Sequence, residues 1–264
     1  MELTFNTYDQ LKNIEPGFYN ISHEEYLALP GVNNSGLRLR QKYHGHGHKQ
    51  LGSTDAMAFG TLFHELVLEP HVFSSKYHIM HNSDKRTKAY NAELLEVPHD
   101  KKPIDKKTYA KLLIMQSVVN ESEVGTTLLD TPYKEITALF DYNGLHCKIK
   151  IDALKIKGSA AVAVDLKTIS SLDEFSVRRH CRDFGYDGQA AFYLTGLKTL
   201  LPDLDCRFAN LFCESVTDSK SVIGCLAASF PSNVIQMAED KNDAILKSWN
   251  EKEHVIDLDI YGGF

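Results

Sequence analysis

The stretch AVAVDLKTIS, residues 161–170, sets an aspartate and a lysine two positions apart in an apolar, strand-like run. In a strand, residues i and i+2 project from one face, roughly 7 Å apart. Asp165 and Lys167 are therefore expected side by side, with Val162, Val164 and Leu166 facing the other way. By itself this is a surface ion pair or half of an active site. A second aspartate, Asp152, sits in CKIKIDAL, where alternation puts Ile149, Ile151 and Ala153 on one face and Lys148, Lys150, Asp152 and Leu154 on the other. Two carboxylates brought together repel unless a cation lies between them or one takes up a proton. Hard oxygen ligands of this kind suit Mg²⁺ or Mn²⁺. A lysine beside such an ion can orient a water molecule, help deprotonate it, or neutralise charge on a phosphate, which are the requirements of metal-assisted phosphodiester hydrolysis. The plain alternative is a pair of ordinary strand-end aspartates.

His64 is a third candidate. In FGTLFHELVLEP its helical neighbours are Gly60, Thr61, Val67 and Leu68, and residues three and four apart share a helix face. The helix is apolar nearly all round, which predicts burial, and a buried imidazole needs a partner. A backbone carbonyl is the ordinary partner; a metal held by Asp152 and Asp165 is the alternative. Gly60, one turn earlier, permits close approach.

These side chains must be carried by regular elements, and the patterning supplies them. NNSGLRLRQKY (33–43) reads as a short helix capped by Asn34 or Ser35, residues 55–70 as a helix closed by Pro70, and 106–121 as a third. Residues 134–140 and 145–154, joined by the four-residue turn DYNG, read as a β-hairpin, followed by a strand from residue 160. Ser171 and Glu174 form a capping-box pattern for a helix over 171–184, and 186–202 is helical up to Pro202. RFANLFCESV and SVIGCLAASF suggest two more strands, and Pro231 opens a final helix to about residue 252. This order predicts an α/β fold, a mixed central β-sheet flanked by helices. One domain is expected over 1–264: an N-terminal helical part to about 125, a catalytic sheet core over about 130–230, and the C-terminal helix over 231–252.

Composition narrows the classes. No run of 18 apolar residues occurs and MELTFNTYDQ lacks a signal-peptide pattern, so a cytoplasmic protein without membrane contact is expected. Five cysteines without a C-x-x-C pair argue against a disulfide framework or a zinc ribbon. Net charge is −6, yet residues 148–182 hold eight Lys/Arg against four acids, and 239–259 hold seven acids against three lysines. A local basic face is compatible with a polyanion, and a solvated surface of mixed sign is the alternative. Arg178, Arg179 and Arg182 follow the Asp165 strand, placed to meet phosphates or simply solvated. His44, His46 and His48 alternate with glycines and read as a loop rather than a metal tract.

The ordered set G-T-L-F-H (60–64), Glu135, K-I-D-A-L (150–154), V-D-L-K-T (164–168) and Y-D-G-Q-A-A-F-Y (186–193) resembles the PD-(D/E)xK nuclease superfamily. Within it the match is to the RecB-like branch, most closely the C-terminal nuclease domains of RecE (exonuclease VIII) type, over roughly residues 30–230. The resemblance implies a restriction-endonuclease-like core. It also implies metal binding by His64, Asp152, Asp165 and the backbone carbonyl of Leu166, with Lys167 as the catalytic lysine. Gln189 and Tyr193, one helical turn apart, correspond to the family's accessory motif near substrate and active site. Asp165 stands where many members carry glutamate, one methylene longer, so the sheet must bring it closer to the ion. Glu135 stays open between a carboxylate supporting the metal ligands, a ligand of a second metal, and a solvated strand-end residue. Some RecB-like nucleases hold an iron–sulfur cluster through cysteines near the domain ends; the scattered cysteines here predict none.

The activity so implied is Mg²⁺-dependent exonuclease digestion of double-stranded DNA from its ends, with Mn²⁺ able to substitute. Its polarity would be 5′→3′, leaving 3′ single strands for an annealing protein of RecT type in a phage or prophage recombination setting, by a ring-shaped homo-oligomer. Arg178, Arg179, Arg182, Gln189 and Tyr193 would hold the strand. The rivals are a structure-specific or restriction-like endonuclease on the same scaffold and a non-catalytic DNA-end-binding protein.

Overall fold

The structure, a computed structural model, describes residues 2–8, 15–43, 54–82, 84–217 and 222–249. A short strand β1 (Gly17–Tyr19) precedes α1 (His23–Ala28), α2 (Asn34–Tyr43), α3 (Asp55–Leu68) and α4 (Pro70–Lys76). A small parallel pair, β2 (Tyr77–Met80) and β3 (Lys102–Asp105), brackets α5 (Lys88–Glu96). Next come α6 (Lys106–Glu121), α7 (Glu123–Leu129), and the long strands β4 (Lys134–Tyr142), β5 (Leu145–Lys157) and β6 (Ala160–Ile169). The chain continues through α8 (Glu174–Phe184), α9 (Tyr186–Leu200), β7 (Asp205–Glu214), β8 (Cys225–Ala228) and α10 (Ser232–Lys247).

The main sheet runs β1-β4-β5-β6-β7-β8. All its pairs are antiparallel except β6 with β7, and that parallel connection crosses over through α8 and α9, as parallel neighbours require. The expected α/β fold with a mixed sheet flanked by helices is what forms. On one face Ala190, Phe192, Leu194 and Leu197 of α9 pack on Ile136, Ala138, Phe140, Ile149 and Ile151. On the other, Phe63, Leu66, Leu112 and Met115 of α3 and α6 pack on Ala153, Val164, Leu166 and Leu211. No helix among the described residues is long and apolar enough to cross a membrane.

Several local expectations are corrected. Pairing continues through Tyr142↔Leu145, so the hairpin turns on the two residues Asn143 and Gly144, with φ of 52° and 73°, rather than on four. Two positive φ values make the mirror-image turn whose twist matches the flanking strands, and Asn-Gly is the preferred pair for it. The cap of α2 is Asn33, whose Oδ1 accepts from the Gly36 N–H, so Asn34 and Ser35 lie inside the helix. Asp173 caps α8 through the Ser176 N–H, while Ser171 bonds to the Asp173 carboxylate; a charged acceptor is favoured at the positive helix end. Pro70 opens α4, its fixed φ suiting a first turn. Helix α3 is not buried all round: Met57 is 56% exposed and only its C-terminal half packs inward. The final helix ends at Lys247, and residues 250–252 lie outside the described residues, as do His44, His46 and His48.

The basic run is also less of a surface than its composition suggests. Lys148 is buried, with Nζ donating to the carbonyls of Tyr26 (2.8 Å) and Leu29 (2.5 Å) at the end of α1. Lys150 Nζ donates to the Ile21 carbonyl at 2.8 Å. Both ammonium groups satisfy backbone carbonyls that a helix end and a loop would otherwise leave orphaned.

Close approach of α9 to β4 depends on Gly196, where a Cβ would lie 2.6 Å from the Phe140 ring. Phe140 is buried and its ring also meets Phe192, so it cannot give way freely. Gly196→Ala is expected to lower stability by about 1–3 kcal/mol despite its better helix propensity. Urea unfolding checks this, and an alanine variant as stable as the wild type would show that the helix can stand off at no cost.

Candidate metal and catalytic centre

The centre forms where two strands part. β5 pairs with β6 from Lys157↔Ala160 to Ala153↔Val164. Past that point β6 continues beside β7, through Asp165↔Asn210 and Lys167↔Phe212, while β5 stays with β4. Asp152 and Asp165 are the first residues beyond the last β5–β6 pair. Alternation also fails here: Ile149, Ile151 and Leu154 pack in the α9 layer, whereas Ala153 packs in the α3 layer. The expected face assignment of Ala153 and Leu154 is thus reversed. The β4–β5 register is the same on either side, Lys134↔Ala153 and Ile136↔Ile151, so the faces exchange by a local twist of the strand next to Asp152 and not by a shift of register. Across from it on β4, Glu135 is held at a φ of 51°, a conformation uncommon outside glycine.

Asp152 is only 8% exposed. Its Oδ2 accepts the Leu166 N–H at 2.7 Å, which bridges the parted strands. His64 Nδ1 lies 3.3 Å from the same oxygen, and His64 Nε2 lies against the Leu166 carbonyl oxygen. Three expected ligand groups, on α3, β5 and β6, therefore meet. Burial pushes the Asp152 carboxyl up, with the Asp165 charge adding to it and the His64 ring opposing it.

Asp165, 3% exposed, is taken up by other donors. Gln189 Nε2 donates to Oδ1 at 2.7 Å, while Lys167 Nζ at 2.6 Å and Asn210 Nδ2 at 3.2 Å share Oδ2. The side-by-side placement of Asp165 and Lys167 on one face is as expected. The Lys167 ammonium also sits 4.8 Å from the centre of the Tyr186 ring, a favourable cation–π arrangement. Burial works against its charge, but the carboxylates of Asp165 and Asp152 outweigh that and its pKa is raised.

The metal-sized trio among the described residues is His64, Glu135 and Asp152, whose ligand atoms all lie within 4.8 Å of one another. Glu135, left open by the sequence, thus stands with His64 and Asp152, while the Asp165 carboxylate beside them is met by Lys167, Gln189 and Asn210. Glu135 is not a solvated strand-end residue. Burial, then the Asp152 charge, pushes its carboxyl up to about 8, with Lys150 Nζ 3.9 Å away opposing the shift. An imidazole, the buried carboxylate of Asp152, the half-buried one of Glu135 and a carbonyl oxygen, with the buried Asp165 carboxylate adjoining, fit a hard divalent cation.

Tyr193 is buried and its hydroxyl donates to the Lys150 carbonyl at 2.7 Å. It ties α9 to β5 and is not an exposed DNA contact, because its hydroxyl is committed to the strand. Gln189, likewise buried, gives its amide to Asp165. The arginines do not converge on the carboxylates. Arg178 pairs with Glu174 at 2.8 Å and Arg182 with Asp183 at 3.4 Å. Both line a cleft of about 960 Å³ with Arg38, Lys42 and Lys241, between α2, α8 and α10, whose wall includes neither His64, Asp152 nor Asp165. Arg179 is exposed and outside that wall. Sequence reasoning missed Tyr186 and Asn210 as neighbours of the centre. An asparagine inside the apolar run RFANLFC was the available signal for the second.

A family model described as a PDDEXK-like domain of unknown function (DUF3799) matches residues 36–254. Among solved structures, a proposed exonuclease from Eubacterium rectale is similar with a TM-score of 0.57 and 14% identity, covering 93% of this chain and 99% of that one. At that identity the likeness is one of fold. The structure of SSO0001 has a TM-score of 0.26 and 14% identity, covering 83% of this chain and 87% of that one. No curated protein matches the chain.

The Glu135 carboxyl has a consequence for stability. Unfolded, it ionises near its ordinary 4.5; folded, it keeps its proton to about 8. Between those values the folded state binds the extra proton, so stability is full below the lower pH and falls as pH rises, by up to about 1.4 kcal/mol per unit. Glu135→Gln should flatten that decline in EDTA-treated protein. Parallel urea-midpoint profiles for variant and wild type from pH 4.5 to 8 would contradict the raised carboxyl.

Proposed function

The chain belongs to the PDDEXK-like domain family, and on that footing we propose that it is a Mg²⁺-dependent deoxyribonuclease digesting double-stranded DNA from its ends. The observation that carries this reading is the meeting of His64, Asp152, Glu135 and the Leu166 carbonyl beside the Asp165–Lys167 pair. A divalent cation supplies polarisation of a phosphate oxygen and a lowered pKa for an attacking water. His64, Asp152, the Leu166 carbonyl and Asp165 would hold it, with Glu135 as the adjoining carboxylate.

The chain's own groups do the rest. Lys167, with its raised pKa, keeps its proton at neutral pH. Its contribution is therefore to donate hydrogen bonds and to offset negative charge as it builds on the phosphate, rather than to take a proton from water. The Tyr186 ring and the Asp165 carboxylate hold that ammonium from two sides. Gln189 fixes the Asp165 carboxylate, and Tyr193 fixes α9 against β5. Arg38, Lys42, Arg178, Arg182 and Lys241 give the neighbouring cleft five cations against the acids Glu174, Asp183 and Asp187, a wall suited to a phosphate backbone. A 5′→3′ polarity, release of 3′ single strands to an annealing partner of RecT type, a ring-shaped homo-oligomer and a cytoplasmic setting complete the proposal.

End-labelled linear duplex, incubated with Mg²⁺, Mn²⁺ or EDTA, tests it. Hydrolysis should need the divalent ion, release the 5′ label first and spare covalently closed circles. Lys167→Ala and Asp165→Ala should each lose at least about 100-fold in rate with unfolding transitions intact. Undiminished hydrolysis by either variant refutes the assignment, and cleavage of closed circles would make the protein an endonuclease.

A further inference from the structure

Asn210 lies on β7 at the register position beside Asp165. It is 0% exposed, in an apolar run between Ala209 and Leu211. Its Nδ2 donates to Asp165 Oδ2, and its Oδ1 finds no hydrogen-bond partner among the described residues. A buried amide with an orphaned oxygen costs stability that an apolar residue of similar size would not. The position is therefore poorly explained by packing and well explained by what its N–H holds.

A carboxylate offers about four lone-pair sites. At Asp165 three are filled, by Gln189 on Oδ1 and by Lys167 and Asn210 on Oδ2. Lys167 cannot serve a substrate phosphate and remain fully committed to Asp165. When its ammonium turns away, Gln189 and Asn210 still hold one oxygen each, and two donors on different oxygens fix the carboxylate plane. With Gln189 alone the group pivots, since the terminal torsion of aspartate is soft.

We infer that Asn210 is a positioning residue for the reaction proposed above: it keeps the Asp165 carboxylate oriented toward the cation while Lys167 engages the substrate. The inference rests on that nuclease reading and is separable from it. Groups that orient metal ligands typically change metal affinity or activity by about 10–100-fold when removed.

The test compares Asn210→Leu with wild type in three measurements. These are Mn²⁺ affinity of the DNA-free protein by electron paramagnetic resonance, kcat and KM on linear duplex, and the thermal midpoint. The expected result is Mn²⁺ affinity and kcat each lower by about 10-fold or more, KM little changed, and a midpoint at or above that of the wild type. Asn210→Asp, which keeps the shape but removes the donor and adds like charge, should lose more. A purely structural role predicts the reverse, a lowered midpoint with Mn²⁺ affinity and kcat intact well below it, and that outcome overturns the inference. Should the leucine variant fail to fold, Asn210→Ala, which adds no bulk, is put through the same three measurements and judged by the same outcomes. Asp165→Ala separates the two levels. If it loses Mn²⁺ binding and hydrolysis while Asn210→Leu and Asn210→Ala keep both, only the positioning role falls; if it too keeps both, the nuclease reading falls.

Discussion

Two buried carboxylates of like charge, Asp152 and Asp165, lie one residue past the point where β5 and β6 separate. Keeping them there is the constraint around which the centre is arranged, because each ionised oxygen removed from water needs a donor or a cation. The parted strands themselves provide the first donor, the Leu166 N–H, which would otherwise pair across the β5–β6 ladder. Helix α3 brings an imidazole, α9 an amide, β7 a second amide and β6 its own lysine. Four elements far apart in sequence are thus held to one point by charge as much as by apolar packing.

The layers on either side serve that arrangement unequally. On the α9 face, a glycine lets the helix lie close on β4, and the Tyr193 hydroxyl anchors it to β5, so that Gln189 arrives at hydrogen-bond distance from Asp165. On the α3 face, only the C-terminal half of the helix is packed, and His64 sits within that half. The left-handed residue Glu135 and the break in alternation at Asp152 are opposite one another in the sheet. Backbone irregularity of this kind carries an energetic cost and gathers where function requires a side chain re-aimed.

Charge along the chain divides between structure and surface in a way composition hides. Lys148 and Lys150 belong to the most basic stretch, yet both close off backbone carbonyls inside the protein. Arg178 and Arg182 remain at the surface but carry acidic neighbours. Fewer cations of this stretch are consequently free for a polyanion than a residue count implies, and two of them, Arg178 and Arg182, line the cleft between α2, α8 and α10 with Arg38, Lys42 and Lys241.

Sequence alone determined what depends on near neighbours. The i, i+2 spacing put Asp165 and Lys167 on one face, the i, i+4 pattern placed His64 on a helix, and the hairpin and crossover order specified a mixed sheet flanked by helices. The family pattern was legible for the same reason, as an ordered string of short local motifs. What only the tertiary structure decided is non-local: the register that sets Asn210 against Asp165, the break in alternation that sends Ala153 and Leu154 to unexpected faces, the ring of Tyr186 beneath Lys167, and the approach of Glu135 to His64 and Asp152. Those follow from which strands pair, where they part and which donors each carboxylate meets. Periodicity cannot encode them, because the partners lie tens of residues apart and their energies exist only once the sheet has closed around them.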